Sequence, residues 1–313
     1  MLGIIILNYN TANDVKLSIC SIKKATTICY KIYIVDNCST DDSLGVLTKL
    51  YEQDNSVVII AANSNGGYSC GNNIGIKAAI ADECDYILVS NPDVIYYEHS
   101  IDQMFEDITS NGNIGVIGPS CASLDQEESQ LIRKTYTKKL YLLSKKPMKY
   151  LTAFFPNLKS EYSEDNLKKD LFLFDGMVRG CSFMISAELF SKMGLFDENV
   201  FLYSEEWIIA KKLHRLSKVC AFDGKSHILH KEATSTKQNG NGFQSFHLYL
   251  SAFYYLKKYL LCNGVELLAV AIFNIVAYSI KSMVTAAYRR LFVKFAKQQI
   301  RLLCTNDMKI QYL

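Results

Sequence analysis

The chain has 313 residues, 49% of them hydrophobic and 21% charged, with a formal net charge of +3. That composition excludes a disordered or fibrous chain and leaves room for a substantial core, either one large domain or one domain with an appendage. The charge is uneven, with a net +8 on residues 236–313 and −5 on the rest, so the basic part is expected to meet a polyanionic surface.

Residues 2–7 form a β-branched-rich run with no basic segment before it, which predicts a first strand and not a targeting signal. A helix is expected from near Asn13, then a second strand over 31–36. A helix follows the capping signal Ser39-Thr40-Asp41-Asp42. A third strand over 56–61 leads to a helix over 71–81, a strand over 86–91 and a fifth strand over 114–118. Alternation at this pitch implies βαβ units, a mostly parallel sheet and right-handed crossovers. The ten cysteines include no C-x-x-C pair, which predicts a reducing cytosol and cysteines serving as small core residues.

Other nucleotide-binding signatures are poor fits. Gly66-Gly67-Tyr68-Ser69-Cys70-Gly71 is not G-x-G-x-x-G and follows the third strand. Gly224-Lys225-Ser226 ends like a P-loop, but position 219 is Val where the first glycine is required. A G-x-S-x-G elbow and an H-E-x-x-H pair are both missing from the sequence.

What remains is a set of polar strand ends. Asn91-Pro92-Asp93 stops a buried strand, because proline cannot continue a central ladder, and presents Asp93 at its carboxyl end. Ligands of open α/β sheets bind outside that edge, where a carboxylate can hold a hard cation against phosphates. The first strand closes in Asn8-Tyr9-Asn10-Thr11, which offers an aromatic face and hydrogen-bonding groups to a base or ribose. The second closes in Asp36-Asn37-Cys38-Ser39. The third leads into Asn63-Ser64-Asn65-Gly66-Gly67-Tyr68, whose glycines permit close backbone approach.

In this order the motifs resemble glycosyltransferase family 2, in particular its bacterial rhamnosyltransferase-like branch of surface-polysaccharide biosynthesis. They are Ile-Leu-Asn-Tyr-Asn, Ile-Val-Asp-Asn-x-Ser-x-Asp, Asn-x-Asn-x-Gly-Tyr-x-x-Gly-Asn-Asn-x-Gly and Asn-Pro-Asp. The resemblance covers roughly residues 2–235. It implies a GT-A fold, an α/β/α nucleotide-binding sandwich with a mostly parallel central sheet. It also implies a nucleotide-diphosphate-sugar donor, Mg²⁺ or Mn²⁺, and inversion at the anomeric carbon. Carried over, Asn8, Tyr9 and Asp36 contact the nucleoside, Asn65, Gly66, Asn72, Asn73 and Asn91 line the donor pocket, and Asp93 is the metal carboxylate.

Further along, Gly180-Cys181-Ser182-Phe183-Met184-Ile185 and Gly194-Leu195-Phe196-Asp197-Glu198 resemble the family's acceptor-side elements. Tyr203-Ser204-Glu205-Glu206-Trp207 stands where the family usually has Glu-Asp, which assigns the base to Glu206 with Glu205 as its orienting partner. Two adjacent acids can couple and raise one pKa, as suits a base near neutrality. The Asp-to-Glu departure keeps an alternative open, a catalytically impaired sugar-nucleotide-binding or scaffold protein of the same fold. In the family's H-x-x-x-x-S element the spacing to Ser235 selects His230 as a second metal or diphosphate contact. His227 is read as a surface or core histidine, and Lys231 as a secondary phosphate contact.

The C-terminal region, 236–313, reads as helical and basic. The apolar run 265–280 is 16 residues, short for a membrane span, which needs about 20. Beyond it Arg290, Lys294, Lys297 and Arg301 fall at helical spacing opposite an apolar stripe. That pattern is either a membrane-surface helix or a helix packed on the catalytic domain with a solvated basic face. A surface helix would suit a lipid-diphosphate-linked saccharide acceptor at the cytoplasmic leaflet. Nucleic acid is the weaker partner, because the aromatics occupy core-like positions.

Overall fold

A computed structural model describes residues 1–123, 132–135, 137, 138, 162, 164–231 and 240–310. Ser235, and with it the far end of the proposed histidine–serine element, lies outside the described residues.

The first βαβ units form as the alternation predicts. Strands β1 (Leu2–Asn8), β2 (Tyr30–Asp36), β3 (Val57–Ala61) and β4 (Tyr86–Ser90) alternate with helices α1 (Ala12–Ala25), α2 (Ser43–Tyr51) and α3 (Gly67–Ala81). After a three-residue strand β5 (Val94–Tyr96) come α4 (Ser100–Ser110) and β6 (Ile114–Ser123). Short strands β7 (Arg133–Lys134), β8 (Leu171–Phe174) and β9 (Gly176–Met177) lead to β10 (Ser182–Ser186), α5 (Ala187–Lys192), α6 (Glu205–Arg215) and β11 (Val219–His230). Three helices close the described chain, α7 (Gly240–Lys258), α8 (Gly264–Val284) and α9 (Ala286–Cys304).

The sheet order is β3-β2-β1-β4-β10-β6-β11-β5, with β8 also on β11. β3, β2, β1 and β4 are parallel neighbours, and β11 is parallel to β6. β10 is inserted antiparallel between β4 and β6. Alternate side chains fill two layers, as a sheet covered on both faces requires. Ile4, Ile6, Ile32, Ile34 and Leu88 pack with Ile19 and Met104 of α1 and α4, whereas Ile5, Tyr33, Ile87 and Val89 pack with Ile76 of α3 and Leu213 of α6.

Three differences from the sequence expectations bear on function. Helix α3 starts at Gly67, four residues earlier than expected, which moves the Asn72-Asn73 pair from its first turn to its second. Gly67 has φ +81°, which glycine adopts freely, and the Tyr68 N–H is held by the Phe201 carbonyl at 2.8 Å. Strand β6 runs on to Ser123, because β11 keeps pairing with it past a register shift between Asp223 and His227. Finally, the apolar helix is α8, 21 residues long with mean hydropathy 1.9, long and apolar enough to cross a membrane by length and composition. Lys281, one residue past the apolar run 265–280, lies inside that helix.

The cysteine expectation holds for part of the set. Cys84, Cys121, Cys181 and Cys220 are buried, but Cys20, Cys29, Cys38 and Cys304 are exposed.

Candidate functional site

A cavity of about 530 Å³ opens at the carboxyl ends of β1, β2 and β4. One of its walls is built by the strand ends. Asn8 and Asp36 are register partners, and the Asn8 amide donates to the Asp36 carboxylate at 2.7 Å. Asp36 also accepts from Ser39 N–H and O–H, at 2.9 and 2.6 Å, and Asn8 Oδ1 accepts from Thr11 N–H and O–H. Both residues are buried, so they hold the loops from one layer behind. The cavity surface itself is Tyr9, Thr11, Asn37 and Asn65.

Asn37, quoted in the second strand-end motif, is given no role by the resemblance. Its side chain donates to Asn65 Oδ1 at 2.9 Å and accepts from Gly66 N–H at 3.3 Å, tying the second and third loops together. Gly66 serves that link and does not reach the wall. Asn72 and Asn73, expected along the donor pocket, sit instead inside α3. Asn72 donates to the Tyr68 carbonyl, and Asn73 to the Phe196 carbonyl and Glu198. The Asn73 amide fastens α3 to the segment preceding the acid pair, whereas the Asn72 amide bonds within α3.

Asn91, Pro92 and Asp93 face the cavity after β4. The Asn91 N–H is held by the Cys181 carbonyl at 2.8 Å and the Asp93 carbonyl by the Lys231 N–H at 3.1 Å. Because His230 is the register partner of Val94, its Nε2 comes to 3.2 Å from Asp93 Oδ1. Asp93 is 7% exposed, and neither imidazole nitrogen makes an aligned hydrogen bond among the described residues. A carboxylate beside an imidazole whose nitrogens have no aligned partner among the described residues, at the edge of the cavity, fits a hard divalent cation such as Mg²⁺ or Mn²⁺. His227 is exposed, and the Lys231 ammonium lies 3.4 Å from Asp14.

The opposite wall carries the acid pair at the first turn of α6. Tyr203 and Ser204, just ahead of it, have φ of +70° and +74°, a left-handed pair that costs non-glycine residues on the order of 1–3 kcal/mol each. Glu205 is buried and its Oε1 has no partner among the described residues. Burial, then the neighbouring Glu206 charge, pushes Glu205 well above the ordinary carboxyl range. Burial also raises Glu206, opposed by backbone N–H groups of Glu206 and Gly180 and by the charges of Arg133 and Arg179. The Glu206 carboxylate folds back over Gly180, so that a Cβ at 180 would lie 2.4 Å from Oε1.

Arg133 and Arg179 line the same cavity and were not found from sequence. Arg133 is placed by the β7–β9 ladder, a pairing that leaves no periodic signal in two-residue strands. Arg179 Nη1 donates to Cys121 Sγ at 3.4 Å. A hydrogen bond from Cys181 lowers the Cys121 thiol to about 6 against the effect of burial, with the Arg179 and His230 charges helping.

The arrangement holds one side that can neutralise a diphosphate and another that can accept a proton, across a single cleft. Comparison with known proteins gives the family and the fold. The family model for Glycosyl transferase family 2 matches residues 3–190. A low-salt glycan biosynthesis hexosyltransferase of Haloferax volcanii is 27% identical over 66% of this chain and 59% of its own length. An N-acetylglucosaminyl-diphospho-decaprenol L-rhamnosyltransferase of Mycobacterium tuberculosis is 23% identical over 75% of this chain and 78% of its own. The chain thus spans about three fifths of the first of these and more of the second. Among solved structures, S. aureus TarS in complex with UDP-GlcNAc has a TM-score of 0.56 at 13% identity, over 96% of this chain and 81% of that one. GalNAc-T7 with UDP, GalNAc and Mn²⁺ has a TM-score of 0.59 at 13% identity, over 82% of this chain and 47% of that one. With these structural likenesses giving the fold and the sequence match spanning more than half of its length, the chain belongs to glycosyl transferase family 2.

Proposed function

We propose that the chain is an inverting, metal-dependent glycosyltransferase. It moves a hexosyl or rhamnosyl group from a nucleotide-diphosphate sugar to a hydroxyl of a saccharide carried on a lipid diphosphate, in surface-polysaccharide synthesis such as O-antigen or capsule. The observation that carries the reading is the convergence of Asp93, His230 and Glu206 on one cavity at the carboxyl edge of the sheet.

In this mechanism the nucleoside rests on Tyr9, Thr11, Asn37 and Asn65, with Asp36 and Asn8 bracing the loops. Bound Mg²⁺ or Mn²⁺, held by Asp93 and His230, would add positive charge against the diphosphate. Arg179 and Arg133 bring fixed cationic charge to the same oxygens, where charge develops as the bond to the anomeric carbon breaks. The Glu206 carboxylate takes the acceptor hydroxyl proton as that oxygen forms its bond to the anomeric carbon from the opposite face. The electron pair of the broken bond leaves with the nucleoside diphosphate. Glu205, protonated in its buried place, keeps a second negative charge from competing with Glu206.

The lipid-linked acceptor draws support from the printed activity of the mycobacterial relative and from the C-terminal helices. Helix α8 turns Leu267, Ala271, Asn274 and Tyr278 inward and leaves Leu268, Ile272, Phe273, Val276 and Ile280 exposed. Arg289, Arg290, Lys294 and Lys297 are exposed on α9. An apolar face beside exposed cations suits peripheral attachment to the cytoplasmic leaflet.

The test is a panel of nucleotide sugars with Mg²⁺ or Mn²⁺, read for donor binding and for transfer to saccharide–lipid acceptors. Wild type is expected to bind one donor and transfer it. Asp93→Ala should lose metal-supported donor binding, and Glu206→Ala should bind the donor without transferring it. Wild type that binds no donor would overturn the transferase reading, and donor binding with no product would favour the scaffold alternative.

A further inference from the structure

We propose that Cys121, Cys181 and His230 form a second cation site, for a soft divalent ion of the Zn²⁺ class. It adjoins the donor site and shares His230 with it. The three come from different elements that the sheet brings together. Cys121 lies in β6 opposite Ile228 of β11, two residues before His230. Cys181 immediately precedes β10, with its carbonyl on the Asn91 N–H. Their two Sγ atoms and an imidazole nitrogen all lie within 4.8 Å of one another.

The geometry and chemistry of this donor set suit zinc more than magnesium. Ligand atoms of a tetrahedral site, with Zn–S of about 2.3 Å and Zn–N of about 2.0 Å, stand roughly 3.5–3.8 Å apart. Side-chain rotations of about an ångström therefore close the triangle. Thiolates select Zn²⁺ over Mg²⁺ or Mn²⁺, which favour oxygen. Cys121 already accepts a hydrogen bond from the Arg179 guanidinium at 3.4 Å, which favours its thiolate. The imidazole nitrogens lack aligned partners among the described residues. Asp93 Oδ1 lies 3.2 Å from His230 Nε2 and adds a negative charge beside the three ligands. With two thiolates, one carboxylate and one guanidinium, a +2 ion brings the cluster to neutrality. Cys181, His230 and Asp93 line the cavity, so an ion has a path in. His230 cannot serve both sites at once. A soft ion bound to the thiols therefore takes His230 away from the donor-site cation, and thiophilic metals should inhibit competitively with Mn²⁺.

The reduced, metal-stripped full chain is titrated with Co²⁺ as a spectroscopic stand-in and then with Zn²⁺. Wild type should develop a thiolate-to-Co²⁺ charge-transfer band that one equivalent of Zn²⁺ abolishes. Cys121→Ser/Cys181→Ser should lose the band and bind Zn²⁺ at least ~100-fold more weakly. If the double variant does not fold, Cys121→Ser alone should keep about half the band, because its intensity follows the number of thiolates. Wild type with no band, or a band that survives the substitutions, would overturn the site. Zn²⁺ inhibition equal in wild type and Cys121→Ser would overturn the sharing of His230. The spectroscopic arm needs no sugar donor, so it stands or falls apart from the transferase reading.

Discussion

Gly180→Ala is the sharpest probe of the acid pair. The new Cβ would lie 2.4 Å from Glu206 Oε1, 2.9 Å from Cδ and 3.0 Å from Cγ. Contacts under 3.0 Å are not tolerated and ordinary contact begins near 3.4 Å, so the carboxylate must move by roughly 0.6–1 Å. Its freedom to swing makes that movement cheap in stability, below about 1 kcal/mol, which is a few degrees in Tm or less. The same movement is costly for chemistry, because misplacement by about an ångström costs on the order of a hundredfold in rate, or about 2.7 kcal/mol of barrier. The assay is steady-state transfer with both substrates varied, alongside a thermal melt. We expect kcat to fall about a hundredfold with donor KM and Tm nearly unchanged. Glu206→Asp, one methylene shorter, should relieve the clash, so the double variant should fall short of the sum of the single losses. A folded Gly180→Ala with kcat within about twofold of wild type, or strict additivity in the cycle, would refute this placement of the base.

Three further outcomes can be checked. Since burial raises Glu206 and the base must be ionised, the rate should rise with pH through an acid limb above the ordinary glutamate value of about 4.3; a limb at or below that value would contradict the environment described. His247 is fully buried between Phe201 and Phe246, and burial lowers its pKa to about 3. Because its folded value lies below the unfolded one of about 6.5, its contribution is complete above 6.5 and is lost toward about 3 at up to about 1.4 kcal/mol per pH unit. His247→Phe should flatten that part of a urea-midpoint-against-pH curve, and an unchanged slope would show that the imidazole titrates normally. Removing two cations with Arg290→Ala/Lys297→Ala should weaken binding to anionic vesicles about thirtyfold at roughly 1 kcal/mol each. Equal binding of wild type and variant in a flotation assay would rule out this electrostatic contact.

The donor half was legible because its signals are local. Strand periodicity places β1, β2 and β4, and proline at 92 marks where the strand must stop. Asn72 and Asn73 lie off the cavity wall because a motif records spacing and not direction: the Asn72 amide turns back onto the Tyr68 carbonyl and the Asn73 amide meets the Phe196–Glu198 segment. Arg133 and Arg179 carry no local pattern. They reach the cavity through long-range pairings, β7 on β9 and β10 between β4 and β6, which a single sequence does not display. The fit of Glu206 depends on the missing side chain at Gly180, a complementarity between positions 26 apart. Read alone, the Glu-for-Asp change looked like a defect. Against Gly180 it is a longer side chain with room to fold back.

The C-terminal helices bear on the chemistry through the segment just before α6. Two consecutive left-handed residues, Tyr203 and Ser204, aim Glu205 and Glu206, and such a conformation persists only where its surroundings determine it. Helix α3 supplies one restraint, the Tyr68 N–H on the Phe201 carbonyl, and the Tyr68 hydroxyl reaches the Gly180 carbonyl at 2.8 Å. The C-terminal helices supply others. Ser251 donates to the Leu202 carbonyl at 2.7 Å, and His247 stacks on Phe201 at 4.6 Å. Tyr254, Tyr259 and Lys258 all donate to Asp197, whose carboxylate stays ionised despite burial because those hydrogen bonds outweigh it. Val200, Phe201 and Ile208 belong to the same apolar cluster as Phe246, Phe253 and Phe295. The acid pair is thus clamped between the sheet and the helices that present the apolar and basic faces. On the reading proposed above, a bilayer pressed against those helices would be mechanically continuous with the loop that aims Glu205 and Glu206.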